Sequence, residues 1–131
     1  MEKTNSEIEI FIKLINKQNF TGVIDYKKVD LFTLKNKYGL TAQITNYGGR
    51  LVSLWIPDKN GNFDDIVLGY ETLEHYLKPK GIYFGALIGR FANRIAKGKF
   101  TLNDNIHTLA INNGANHLHG GKNGFNNVVW N

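Results

Sequence analysis

The side chains best able to hold a polar ligand fall between Tyr83 and Gly121. His117 and His119 stand two residues apart, which on a strand would turn both side chains to one face. Three readings of that pair are open. The histidines can be structural, packed beside the Gly120-Gly121 turn. They can ligate a metal as a His-x-His pair, which would make a metal-dependent β-fold enzyme using His117 and His119. That chemistry asks for a nearby carboxylate or a third histidine. All 11 Asp and Glu residues lie at or before Asp104, and His75 and His107 fall on a predicted helix and a predicted strand. Third, they can bind a polar ligand, because a neutral imidazole both donates and accepts hydrogen bonds. The two glycines after His119 would let backbone come close to such a ligand. Asn93 and Arg94 add donors, and the planar fork of Arg94 suits paired oxygens such as those of a sugar. Arg90 and Arg94 would equally serve at the surface, binding carbonyls at a strand end.

Other chemistries find no signature. Gly120-Gly121-Lys122-Asn123-Gly124 lacks the spacing and the Ser/Thr of a phosphate loop, and no Gly-x-Ser-x-Gly elbow occurs. Cysteine is absent, which excludes thiol catalysis, thiolate metal sites and disulfides.

The elements that must position these residues read as β-strands. Leu40, Ala42 and Ile44 alternate with Thr41, Gln43 and Thr45, the pattern of a half-buried strand. Asn46-Tyr47-Gly48-Gly49 breaks it, and Leu51 to Ile56 resumes as a strand apolar on both faces, as inside a sandwich. Pro57 to Asn62 is a turn built on Asn-Gly, and Ile66 to Leu68 makes a further strand. Leu73, Tyr76 and Leu77 after Thr72 predict a brief helix. Ile82 to Ile88 is an apolar run broken by Gly85. Phe100 to Leu102 and Ile106 to Leu109 pair around Asn103-Asp104-Asn105, and Val128-Val129 begins another strand. Residues 1–27 are ambiguous: Ser6 and Glu9 make a capping box and Ile8, Phe11, Ile12 and Ile15 keep helical spacing, while Ile8, Ile10 and Ile12 also alternate. A short helix or an irregular extension is expected there, with a turn at Asn19 to Gly22. The class is all-β.

A chain of 131 residues fits one domain with a core of its own. Its net charge is +5 and its pI about 9.4, but the lysines are scattered, which favours a solvated basic surface over a nucleic-acid site. No stretch approaches the ~20 apolar residues of a membrane span. Glu7 and Glu9 interrupt what would be a secretory leader, so the Asn19-Phe20-Thr21 sequon is expected to be idle and the protein cytoplasmic.

Five segments together resemble the aldose 1-epimerases, or galactose mutarotases. They are ITNYGGRLVSLWIPD (44–58), DDIVLGY (64–70), YFGALIGRFANRIAKGKFTL (83–102), NNGANHLHGG (112–121) and GFNNVVW (124–130). The pairing of GRFANRI with NHLHGG is the most specific part. The match divides the chain into a poorly matched extension, 1–27, and the N-terminal portion of an epimerase domain, 28–131. The resemblance implies a β-supersandwich enzyme that interconverts the α and β anomers of glucose, galactose and related aldoses, without metal or organic cofactor. A base takes the anomeric hydroxyl proton while an acid protonates the ring oxygen; the ring opens, turns about C1–C2 and recloses. Asn93, Arg94 and His119 match residues that line the family's sugar pocket, and His119 would assist the charge shift at the ring oxygen. His117 carries no family role and reads as structural.

The family's glutamate base, its main histidine acid and a sugar-binding aspartate lie further along than this sequence reaches. No catalytic residue is therefore expected within it, and the chain alone is expected to be inactive, or a non-catalytic carbohydrate-binding fragment. Asn103-Asp104-Asn105 stands where the family often has Asp-Gly, and the hairpin is expected to survive because Asn and Asp tolerate left-handed backbone. Val128-Val129-Trp130 would leave an unpaired apolar edge, so low stability or self-association is expected.

Overall fold

The structure, a computed structural model, describes residues 12–78 and 82–131. The capping box at Ser6 lies outside the described residues. Residues 12–16 carry no regular structure, while the rest of the extension holds short regular elements. A single 3-10 turn follows at Lys17–Phe20, capped by the Asn16 side chain on the Gln18 amide.

A ribbon of β1 (Gly22–Ile24) and β2 (Lys27–Val29) closes through Asp25 and Tyr26, both left-handed. The main sheet is four antiparallel strands in sequence order: β3 (Leu31–Lys35), β4 (Thr41–Thr45), β5 (Arg50–Pro57) and β6 (Phe63–Asp65). A helical turn, α1 (Leu73–Tyr76), is capped by the Thr72 hydroxyl on the His75 amide, as the spacing predicts. Two further ribbons follow. One pairs β7 (Arg94–Ile95) with β10 (His117–Leu118), and the other pairs β8 (Lys99–Leu102) with β9 (Asn105–Thr108). The architecture is all-β with little helix, in agreement with the expected class. The Asn103-Asp104 turn has both residues at positive φ, so the hairpin forms.

The core gathers Phe20, Val29, Leu31, Tyr47, Val52, Leu73, Tyr76 and Val129. It lies on one face of the main sheet, and here the strand pattern holds a surprise. β4 forms where predicted, but its buried residues are Thr41, Gln43 and Thr45; Ala42 and Ile44 are only half-buried. Hydrogen bonding explains the inversion. The Gln43 side chain accepts from the Ile15 amide at 2.8 Å and donates to the Ile15 carbonyl at 2.9 Å, while Thr45 Oγ1 donates to the Asp30 carbonyl. Satisfied polar groups can be buried at little cost. The opposite face, with Phe32 and Leu34 paired to Ile44 and Ala42, is left largely open.

Three other expectations are corrected. The strand predicted at Ile66 to Leu68 lies earlier, at Phe63–Asp65, and Ile66 and Leu68 are exposed. At its end, Asp65 Oδ1 accepts from the Leu54 and Val67 amides, and the Ile66 amide still donates to the Leu54 carbonyl. Val128-Val129 forms no strand of its own, and Val129 makes an isolated bridge to Tyr47. The segment docks on the 46–48 loop through Gly48 N to Val128 O (2.7 Å) and Trp130 N to Asn46 O (2.9 Å), with Val129 buried. The turn expected at Asn19 to Gly22 begins earlier, as the 3-10 turn, and Gly22 already opens β1.

Candidate functional site

Two short stretches meet at the β7–β10 ribbon. Arg94 opposes Leu118 and Ile95 opposes His117, which brings Asn93 level with His119. Those two residues hold each other. The Asn93 amide donates to His119 Nδ1 at 3.0 Å, and the His119 amide donates to the Asn93 carbonyl at 3.0 Å. Both are left-handed, at φ 63° and 52°, a conformation that turns their side chains off the ladder.

An asparagine-rich turn frames the ribbon. Asn112 brackets Leu118 as a strand would, donating to its carbonyl at 2.9 Å and accepting from its amide at 2.7 Å. Asn113 Oδ1 accepts from Arg94 Nε at 2.9 Å, and Asn93 Oδ1 accepts from an Arg94 terminal nitrogen at 3.2 Å. The guanidinium is thereby fixed from two sides without an acidic partner among the described residues. The Tyr83 ring meets the His119 imidazole edge-on, 4.8 Å between centroids. Asn93 and Arg94 are exposed and His119 half-buried, so all three remain open to a ligand.

His117 goes elsewhere. It is buried, its Nδ1 lies 2.8 Å from the Ala110 carbonyl, and Gly121 packs against its ring. The expectation that both histidines share one face fails because His119 leaves the strand in a left-handed conformation. Among the described residues no group of three or more His, Cys, Asp or Glu could hold a metal ion. That counts against the metal reading of His117 and His119. His75 lies on α1 and His107 stacks on Phe100, each away from this pair.

Beside the ribbon lies a mainly apolar cavity of about 850 Å³, lined by Arg90, Phe91, Arg94, Phe100, Leu109, His117 and Phe125 among others. Neither Asn93 nor His119 lines it. The Arg90 guanidinium lies 5.8 Å from the Phe125 ring centroid. Arg94 alone of the three matched residues reaches both the cavity and the open side.

The support behind the site was missed from sequence. Arg50 is fully buried and donates to the Phe84 and Asn126 carbonyls at 3.1 and 2.9 Å. It also stacks on Tyr76 and Tyr47 at 4.9 and 5.3 Å, and burial pushes its pKa below the ordinary arginine value. This one cation ties the turn that carries Tyr83 to the main sheet and to the C-terminal segment. Gly120 lies so close to the Gly89 carbonyl that an added Cβ would collide with it. Asn112, Asn113 and Tyr83 could have been found, since they sit inside the segments that carry the resemblance; nothing in the sequence marks Arg50 as buried.

Comparison with known proteins agrees with this picture. The family model for aldose 1-epimerase matches residues 30–131. Galactose mutarotase from Bos taurus is 48% identical over 102 residues, which is 78% of this chain and 29% of that protein. Aldose 1-epimerase from Escherichia coli is 37% identical over 100 residues, 76% of this chain and 29% of its own. Among solved structures, an aldose epimerase homologue from C. elegans superposes with a TM-score of 0.72 at 37% identity, covering 79% of this chain and 31% of that one. Galactose 1-epimerase from Lactobacillus acidophilus gives 0.69 at 31% identity, covering 83% and 31%. The fold is similar to that of the solved aldose epimerases. The chain belongs to the aldose 1-epimerase family. It spans about three-tenths of the length of the relatives it matches.

Proposed function

We propose that Asn93, Arg94 and His119 form the sugar-gripping part of an aldose 1-epimerase site, acting on glucose- or galactose-type aldoses. The observation that carries this is the reciprocal hydrogen bonding of Asn93 and His119, which locks two motifs into one rigid, solvent-facing group. Arg94, fixed beside them, would take paired sugar oxygens. Within the whole enzyme the reaction is anomer exchange by acid–base ring opening and reclosure, and no cofactor is required for it. No carboxylate bonds to these three residues among the described ones, so nothing here would serve as the base. The chain alone is therefore expected to bind sugar without turning it over.

An optical-rotation assay on freshly dissolved α-galactose, with a parallel galactose titration, tests this. Binding without acceleration supports the reading. Mutarotation above the spontaneous rate, abolished by Arg94→Ala or His119→Ala, would overturn the inactivity. The second reading, a carbohydrate-binding fragment with no enzymatic role, rests on the same absent carboxylate; it is favoured if binding survives and no longer partner restores turnover.

The proposed epimerase portion is 28–131 and the proposed extension 1–27, of which Phe20 packs into the core. A cytoplasmic setting fits a chain without cysteine. No helix among the described residues is long and apolar enough to cross a membrane. The scattered lysines give no reason to expect a nucleic-acid or membrane partner. Self-association, if it occurs, would run through the open apolar face of the main sheet.

A further inference from the structure

The geometry points to a sugar grip dominated by hydrogen-bond donors, with His119 held as its Nε2–H tautomer by the backbone amide of Asn93. This deepens the sugar-binding reading and rests on it. A backbone N–H can only donate, so His119 Nδ1, 3.0 Å from the Asn93 nitrogen, must be the accepting, unprotonated nitrogen. In the neutral ring the proton then resides on Nε2, which becomes a donor. The other histidine of the motif is set the opposite way. His117 Nδ1 faces the Ala110 carbonyl at 2.8 Å, and a carbonyl can only accept, so that nitrogen carries a proton.

The neighbours of His119 are weighted toward donors as well. Asn93 Oδ1 accepts from Arg94, which occupies one of its two lone pairs, while the Nδ2 amide supplies two N–H donors. Arg94 has no acceptor at all, and its Nε is already directed to Asn113. Asn93 thus has two jobs. Its side chain steadies Arg94, and its backbone sets the proton on His119. What the three residues present to a ligand is mainly a set of N–H groups.

Such a surface reads oxygen lone pairs more than hydroxyl hydrogens. It suits ring and hydroxyl oxygens acting as acceptors. A hydroxyl that must give up its proton has to find that acceptor on another part of the enzyme. At gripped positions a sugar should tolerate loss of its hydroxyl hydrogen better than loss of the electronegative atom.

The test uses the whole chain, nitrogen-15 labelled, in two arms. A long-range proton–nitrogen spectrum should show His119 with a protonated Nε2 and a bare Nδ1, and His117 with a protonated Nδ1 as internal contrast. A scalar coupling across the hydrogen bond should link the Asn93 amide to His119 Nδ1. It should persist in Asn93→Gly, which keeps the amide and accepts left-handed backbone. A protonated Nδ1 on His119, or no coupling in the folded wild-type chain, overturns the proposal. The second arm titrates galactose and analogues in which single hydroxyls are replaced by fluorine or by hydrogen. At one or more positions the fluoro sugar should bind several-fold tighter than the deoxy sugar. Equal loss for both at every position overturns the donor-dominated grip. If galactose itself fails to bind, the sugar-binding reading falls, while the tautomer arm still decides the state of His119.

Discussion

At the scale of single residues, backbone conformation decides which side chains the site can use. Asn93 and His119 both occupy left-handed backbone, where β-branched residues are strained by about 1–2 kcal/mol. Asn93→Val is expected to lower stability by about that amount, with Asn93→Gly close to wild type, as read by urea denaturation. Arg50 is the larger lever. Its removal leaves the Phe84 and Asn126 carbonyls without their donor and opens a cavity between two tyrosines. Arg50→Ala is expected to cost about 3 kcal/mol or more, because each buried group left unpaired is worth ~1–3 kcal/mol. Asn93, Arg94 and His119 were legible only because their motifs resemble a family. Their mutual contact was not, since it joins positions 26 residues apart through backbone atoms that no composition reveals.

At the scale of elements, local chemistry placed most strands and failed where long-range bonds intervened. β4, β5, α1 and the β8–β9 hairpin follow from alternation, capping and turn residues. The buried face of β4 does not, because Gln43 and Thr45 find partners in distant segments. β6 lies earlier than predicted, and beside its end one Asp65 oxygen takes the place of a backbone acceptor for the Leu54 and Val67 amides. The crossing of the 119–121 turn over Gly89 is another contact invisible in sequence. Gly120→Ala would force a Cβ into the Gly89 carbonyl at a positive φ of 89°. A loss of more than about 2 kcal/mol is expected, in the range typical of severe backbone clashes. Melting of the variant against wild type checks it, and a change within error would mean the turn can move aside.

At the scale of the molecule, charge and exposed apolar surface set the behaviour in solution. Asp30 is held below its ordinary value of 3.8, chiefly by the hydrogen bond from Lys17, 3.0 Å away, against a smaller opposing effect of desolvation. Asp58 is lowered mainly by the Asn62 and Asn60 amides, and Glu74 by Lys78. A carboxylate with a lowered folded pKa stabilises above its unfolded value, and that contribution disappears as pH falls through the folded one. The melting temperature should therefore be level near neutrality and fall in acid below the usual carboxylate range. Asp30→Asn should flatten part of that fall, and added salt should shrink it, since Asp58, Glu74 and the Lys17 partner of Asp30 are exposed. Phe32 and Leu34, 50% and 58% exposed, favour association through the sheet face. Sedimentation is expected to depend on concentration, and Phe32→Lys with Leu34→Lys should abolish that dependence. An unchanged oligomer in the double variant would move the contact elsewhere.

The β8–β9 hairpin projects from the loop between the two matched motifs with every strand residue exposed. Its tip at Asn103-Asp104 touches neither the Asn93–His119 lock nor Arg50. That makes it a natural handle for labelling. A short glycine-serine insert between Asn103 and Asp104 lengthens one loop, and each doubling of loop length adds only about 0.6 kcal/mol. A fluorophore or tag placed there would report on sugar binding from a point that the grip does not depend on.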